Sequence, residues 1–130
     1  MAYTGMAQSS TQRTILVVED EFLIRMSAVA TLEDAGFLVH EAQNSGEALE
    51  VLSRHSEINV LMTDVRMPGL MDGLALIAQV RIDHPAIRSI VVSGNVSAEQ
   101  ARKAGAFGFV AKPYLAKTIV QAVHDTLLRH

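Results

Sequence analysis

The sequence predicts an α/β fold in which a parallel sheet carries helices on both faces. Three observations support this. Short apolar runs of strand length alternate five times with segments of helical spacing, the order that builds a parallel sheet through helical crossovers. The first run is an unbroken stretch of β-branched and aliphatic residues, as expected of a strand covered on both sides. Four of the five runs end abruptly in a charged or hydroxylated residue. In open α/β sheets the carboxyl ends of the strands are where ligands and chemistry sit.

The first run, Thr14-Ile15-Leu16-Val17-Val18, closes in Glu19-Asp20-Glu21. Residues 22–35 follow with Leu23, Met26 and Ala30 at helical spacing, which predicts a helix burying that stripe. Asp20 and Glu21 lie at its start, where carboxylates suit the helix dipole, and Gly36 is the expected stop. Phe37-Leu38-Val39-His40-Glu41 reads as the second strand. Asn44-Ser45-Gly46-Glu47 opens a second helix with Leu49 and Leu52 inward. The third strand is the apolar run at residues 58–62, which gives way to Asp64; Pro68 and Gly69 then stop regular structure.

Asp72 can cap a third helix from Gly73 to about Ile82, which Pro85 keeps short. Ser89-Ile90-Val91-Val92 is the fourth strand, ending at Ser93-Gly94-Asn95. Ser97-Ala98-Glu99-Gln100 resembles a capping box for a fourth helix that Gly105 closes. Residues 106–111 form a short fifth strand ending at Lys112-Pro113. The last helix, about residues 115–128, has Ile119, Val123 and Leu127 on one face.

The chain has 130 residues, enough for one domain with one good core, and 49% of them are hydrophobic. There is no cysteine, which removes disulfides, thiolate catalysis and thiolate zinc sites and fits a reducing compartment. A net charge of -3 gives no electrostatic ground for nucleic-acid binding. The apolar runs are too short to cross a bilayer, and the first twelve residues lack the basic and apolar blocks of a secretory signal. Residues 1–13 read as a flexible tail and residues 14–130 as the domain. With only Arg129 and His130 beyond the last helix, no output domain is expected to follow. The histidines, at 40, 55, 84, 124 and 130, show no metal-ligand spacing and read as solvated or satisfied side chains.

In a parallel sheet the strand ends share one edge, so Glu19, Asp20, Asp64, Ser93 and Lys112 can converge. Two carboxylates 4 Å apart repel by roughly 4 kcal/mol at an effective dielectric near 20. A hard divalent cation offsets that cost, and an oxygen ligand set favours Mg2+. Such a site suits phosphoryl transfer onto a carboxylate. Asp64 would be the nucleophile, Mg2+ and Lys112 would neutralise charge on the phosphoryl oxygens, and Ser93 would donate a hydrogen bond to one of them. Each residue also has an ordinary explanation: helix-start acids, a turn acid, a turn serine, a solvated lysine. Their coincidence at four strand ends sets those explanations aside.

The motifs Val17-Val18-Glu19-Asp20-Glu21, Thr63-Asp64-Val65-Arg66-Met67-Pro68-Gly69, Met71-Asp72-Gly73-Leu74, Val92-Ser93-Gly94 and Phe109-Val110-Ala111-Lys112-Pro113 together resemble the receiver domain of response regulators in two-component signalling. The resemblance covers about residues 14–128. It implies a doubly wound, five-stranded parallel sheet of flavodoxin-like (βα)5 type with strand order 2-1-3-4-5. It also implies a phosphoprotein rather than an enzyme in the ordinary sense, with self-catalysed phosphotransfer and slow autodephosphorylation only. By motif, Asp64 resembles the phospho-acceptor. Asp20, Asp64 and the Arg66 backbone carbonyl resemble the direct magnesium ligands, and Glu19 resembles the acid that holds the ion through water. Ser93 resembles the switch hydroxyl, Phe109 the switch aromatic and Lys112 the phosphate-contacting lysine. Pro113 resembles the proline, often preceded by a cis bond, that shapes the following loop.

The implied partners are a histidine kinase or histidine phosphotransfer protein and a downstream effector. The effector would bind the face made by the fourth helix, fifth strand and fifth helix; a homodimer is compatible with the family, and neither nucleic acid nor membrane is expected. The implied location is cytoplasmic. Two departures stand out. The stretch from Asp64 to the Asp72-Gly73 pair is one residue longer than usual, in Gly69-Leu70-Met71, which should alter the loop beside the site. Ser93 stands where threonine is commoner and lacks the β-methyl that would restrict its rotamer.

Three competing classes are weaker. A haloacid-dehalogenase-type phosphatase needs a second aspartate two residues after the first, where this chain has Arg66, and the chain is short for one. A flavodoxin-like flavin carrier needs a phosphate-cradling loop after the first strand, where Glu19-Asp20-Glu21 would repel phosphate. A degenerate receiver serving only as a scaffold would not need the complete acid, hydroxyl and lysine set.

Overall fold

The computed structural model describes residues 13–129. The strands are β1 (Thr14–Val18), β2 (Leu38–Ala42), β3 (Val60–Asp64), β4 (Arg88–Ser93) and β5 (Gly108–Ala111). They alternate with α1 (Phe22–Asp34), α2 (Ser45–Arg54), α3 (Gly73–Asp83), α4 (Ala98–Ala104) and α5 (Ala116–Leu128). The strands form one parallel sheet in the order β2-β1-β3-β4-β5. This is the doubly wound architecture and strand order expected from the sequence. Of the expected tail, residues 1–12 lie outside the described residues, as does His130; the Arg13 carbonyl accepts the Leu38 N–H at 3.0 Å.

Every residue of β1 is buried, because alternate side chains serve two cores. Leu16 and Val18 join Leu61, Val91 and the inward faces of α2, α3 and α4. Ile15 and Val17 join Val60, Met62, Ile90 and the inward faces of α1 and α5. At about 1.5–3 kcal/mol per buried aliphatic side chain, these two layers are the main term holding the strand ends in register.

The caps fall where short polar residues precede the helices. Asn44, Asp72 and Ser97 accept backbone N–H bonds from Glu47, Ala75 and Gln100 at 2.8, 2.9 and 3.1 Å. The expected box at Ser97 is complete, with Gln100 returning to the Ser97 N–H at 2.8 Å. Gly36 and Gly105 close α1 and α4 at φ 98° and 109°, left-handed values that favour glycine.

The inward stripe of α1 is not the expected one. Leu23 and Met26 are 76% and 51% exposed, and Ala30 is exposed too. The sheet instead takes the stripe through Ile24, Ala28 and Leu32, of which Ala28 and Leu32 are fully in the core. The helix is apolar around most of its circumference, so spacing alone could not choose between stripes. Glu21 does stand at the start of the helix, as its N-cap, but it makes no side-chain capping bond and no acid lies within the first turn. No described helix is long and apolar enough to cross a membrane.

Candidate functional site

Sheet order decides which strand ends are neighbours. β1 and β3 pair, and β4 separates β3 from β5. Glu19 and Asp20 therefore leave β1 beside Asp64, the last residue of β3. Lys112, just past β5, reaches over the end of β4 from about 9–10 Å away, two strand spacings. Its backbone N–H donates to the Ser93 carbonyl at 3.0 Å, tying the two ends together. The Lys112–Pro113 peptide bond is cis.

The Lys112 ammonium donates to Asp64 Oδ2 at 2.7 Å and to Glu19 Oε1 at 3.0 Å. Asp64 Oδ1 accepts the Val65 N–H at 2.6 Å, and Glu19 Oε2 accepts the Glu21 N–H at 3.1 Å. Both carboxylates are thereby aimed rather than free to rotate. Glu19 is 5% exposed, whereas Asp20 is exposed. One oxygen from each of Glu19, Asp20 and Asp64 can be chosen so that the three lie within 4.8 Å of one another.

Burial pushes the Glu19 carboxyl above its ordinary range, and the Asp64 charge adds to this; the Glu21 N–H and the Lys112 ammonium oppose it without cancelling it. For Lys112 the balance runs the other way. Burial works against its charge, but the bonds to Asp64 and Glu19 outweigh it and hold the ammonium above the usual lysine value. The Tyr114 phenol beside them is raised, chiefly by burial. Three carboxylates against one ammonium leave the cluster with excess negative charge.

The donor set fits magnesium. At the usual bond lengths the oxygens around such an ion stand roughly 3–4 Å apart, and three oxygens that lie within 4.8 Å of one another are near enough to share it. Glu19 already has one oxygen on a backbone N–H and the other on Lys112, which suits it to holding an ion through water. Arg66 lies in the loop after Asp64 with its side chain exposed.

Ser93 is buried at 2% exposure, one position beyond Val92, the residue that pairs with Asp64. Its Oγ accepts the N–H groups of Asn95 and Val96 at 3.0 and 3.3 Å and so is held by the turn into α4. Phe109 pairs with Val91 and packs against the core on the α4 side of the sheet. The loop after Asp64 carries Gly69 at φ 112° and a fully exposed Leu70. Its far end is pinned by the Ser45 hydroxyl, which donates to the Met71 carbonyl at 2.9 Å.

Two supports of the site escaped sequence reasoning. Arg25 donates to the Glu19 carbonyl at 2.7 Å and to Glu41 at 2.9 Å, fixing the backbone of the acid turn. The only signal for it was a cation inside an otherwise apolar helix, one turn after three acids. Gly73, read as the start of a helix and as part of a motif, presses on the Asp64 backbone. His40 and His55, read from the sequence as solvated or satisfied side chains without ligand spacing, come together with Glu57, away from this edge of the sheet.

A family model described as the response regulator receiver domain matches residues 15–124. A sensor kinase, CckA, from Brucella abortus is 40% identical over 118 residues, covering 88% of this chain and 12% of that protein. The chain spans only 12% to 24% of the length of the first curated relatives it matches. Among solved structures, a receiver domain protein from Clostridium thermocellum has a TM-score of 0.82 at 29% identity, covering 88% of this chain and 94% of that one. A response regulator from Burkholderia pseudomallei, described as holding a phosphorylated aspartic acid, a calcium ion and citrate, has a TM-score of 0.75 at 30% identity, covering 85% and 66%.

Proposed function

Because the chain belongs to the response regulator receiver domain family of two-component systems, we propose that Asp64 is its phospho-acceptor and that residues 14–130 form the receiver unit. The observation that carries this reading is the Lys112 ammonium bridging Asp64 and Glu19 at 2.7 and 3.0 Å, with Asp20 in the same cluster. Asp20, Asp64 and the Arg66 carbonyl would hold Mg2+ directly, with Glu19 acting through water. When bound, the ion supplies charge neutralisation for the phosphoryl oxygens.

The chain's own residues then divide the work. A carboxylate oxygen of Asp64 attacks phosphorus and the bond from phosphorus to the donor's imidazole nitrogen breaks; with the donor's other ring nitrogen protonated, the electron pair of that bond leaves on a neutral imidazole. The Val65 N–H on Oδ1 keeps the nucleophile oriented. Lys112 exchanges its contact with the carboxylate for one with a phosphoryl oxygen, and Ser93 turns its hydroxyl toward another. The phosphorylated aspartate and cation described for the Burkholderia relative support the same chemistry here.

The donor in this reading is a phosphohistidine of a histidine kinase or phosphotransfer protein. Exposed Phe22 and Leu23 of α1 and exposed Leu115 give such a partner an apolar surface. The output goes to an effector through α4, β5 and α5, where Arg102, Lys103 and Lys117 are exposed. The protein works in the cytoplasm as a switch, with no turnover beyond slow loss of its own phosphoryl group. A phosphatase of the haloacid dehalogenase type is disfavoured by Arg66, where that chemistry needs a second acid.

The test is direct. Acetyl phosphate with Mg2+ should add one hydroxylamine-labile phosphoryl group by intact mass, and Asp64→Asn should abolish it. No adduct, or one that survives the substitution, removes the assignment.

A further inference from the structure

We propose that His40, His55 and Glu57 form a second metal site, built for a first-row transition dication such as Zn2+ and distinct from the carboxylate cluster at the strand ends. His40 stands in the middle of the edge strand β2, His55 is the C-cap of α2, and Glu57 follows in the loop to β3. Topology places this loop toward the amino-terminal edge of the sheet, opposite the acids.

The two imidazoles stack with centroids 4.1 Å apart and planes 29° apart. His40 Nε2 and His55 Nδ1 each lie 3.3 Å from the same oxygen, Glu57 Oε2. A tetrahedral ion with bonds of about 2.0–2.1 Å separates its ligand atoms by about 3.3–3.4 Å. Both nitrogen–oxygen edges therefore already have the length that coordination needs. The third edge is not yet formed: the three donor atoms lie within 4.8 Å of one another, and the stacked rings must splay apart for both nitrogens to face one ion.

The chemistry of the set points the same way. Two imidazoles and one carboxylate, with room for water, form an open zinc-type site. Imidazole nitrogen is a poor partner for magnesium, so this cluster and the all-oxygen cluster would sort different ions. The side chains of His40, His55 and Glu57 are 31%, 38% and 54% exposed, leaving an ion a path in and a place for its water. The Glu57 carboxyl is held below its usual range, first by its own backbone N–H and then by His40 and His55, so it is ionised at neutral pH. Nothing here depends on Asp64. The three ligands come from three different segments, so a bound ion would fasten the end of α2 and the loop to the edge strand.

The experiment titrates Zn2+ into the full chain carrying Asp64→Asn, which weakens the carboxylate cluster, and reads stoichiometry and affinity by calorimetry. Co2+ is used in parallel for its visible absorption. One Zn2+ per chain and a tetrahedral Co2+ band are expected. Adding His40→Gln or His55→Gln, at positions exposed enough to leave the fold intact by circular dichroism, should weaken binding by more than about tenfold, the lower bound for losing even an outer-shell partner. Adding Glu57→Gln should also weaken it. The proposal fails if no saturable binding is seen, if the His40→Gln/His55→Gln pair binds Zn2+ as before, or if Mg2+ displaces Zn2+ at equal concentration.

Discussion

Gly73 and Asp64 meet backbone to backbone. A Cβ on Gly73 would stand 1.9 Å from the Asp64 carbonyl oxygen and 2.9 Å from Val65 Cα, and the Gly73 N–H donates to the Val65 carbonyl at 2.8 Å. The first turn of α3 is thus pressed onto the strand end that carries the proposed acceptor. In an open helix, alanine for glycine would gain up to about 1 kcal/mol. Here the clash is with main chain, which cannot swing aside. Gly73→Ala should destabilise the fold by about 1–3 kcal/mol, read as a lower urea midpoint at unchanged slope, and should slow labelling of Asp64 by acetyl phosphate. A midpoint equal to or above wild type would mean that the two backbones separate freely.

Among the described residues, Lys112 is the only cation paired with the side-chain carboxylate of Asp64 or Glu19. Lys112→Met would leave the two acids beside each other with no counter-charge. Removing one partner of a buried pair costs about 3–5 kcal/mol. The side chains here are 23%, 7% and 12% exposed for Lys112, Glu19 and Asp64, so water screens part of that, and a loss of about 1–3 kcal/mol in chelator is expected. Added Mg2+ should raise the midpoint of the variant more than that of wild type, because more unbalanced negative charge remains to be neutralised. Equal responses to Mg2+ would show that the ion does not share the acids with Lys112.

The same pair sets a pH dependence. The folded state holds the Lys112 ammonium above its usual value, the bonds to Asp64 and Glu19 outweighing burial. A base raised on folding contributes stability that is complete below its unfolded pKa, about 10.4 for lysine, and is lost as pH rises through the higher folded value. Other groups titrate there too, so the quantity to follow is the stability gap between wild type and Lys112→Met. That gap should be constant from neutral pH to about 10 and shrink above it. A gap that stays level through the alkaline range would mean that folding does not raise the lysine.

What the sequence made legible follows from locality. Each strand end was marked by an apolar run stopping at a polar residue, so Glu19, Asp20, Asp64, Ser93 and Lys112 could be named before any geometry. The caps at Asp72 and Ser97 and the stop at Gly105 were legible because a cap is a contact over three or four residues. The stripe on α1 was not, because Leu23 and Met26 are as apolar as Ile24 and Leu32, and only the sheet distinguishes them. His40 and His55 are fifteen positions apart and Glu57 lies on the far side of a helix end; no ligand spacing can express a cluster made by a strand, a helix cap and a loop. The clash that fixes Gly73 depends on the path of the loop before it, which no motif encodes.

Val91 pairs with Phe109 and Ser93 with Ala111, so Ser93 and Phe109 face the same side of the sheet, two positions apart along neighbouring strands. In the present state the Ser93 hydroxyl oxygen accepts two backbone N–H groups, those of Asn95 and Val96. At about 0.5–1.5 kcal/mol for each neutral bond, releasing them costs about 1–3 kcal/mol. A hydrogen bond to a charged phosphoryl oxygen returns about 1.5–3 kcal/mol. The two sides nearly balance, which lets a local charge decide between states. Space vacated beside β4 as Ser93 moves inward lets the half-buried Phe109 ring turn in, and its apolar area then favours the shifted state. A beryllofluoride mimic with Mg2+ should therefore move amide resonances across α4, β5 and α5, including Arg102, Lys103 and Lys117, as well as around Asp64. Ser93→Ala should still accept phosphate while losing most of the distant shifts. Wild-type shifts confined to the loops around Asp64 would mean that this face is not the output.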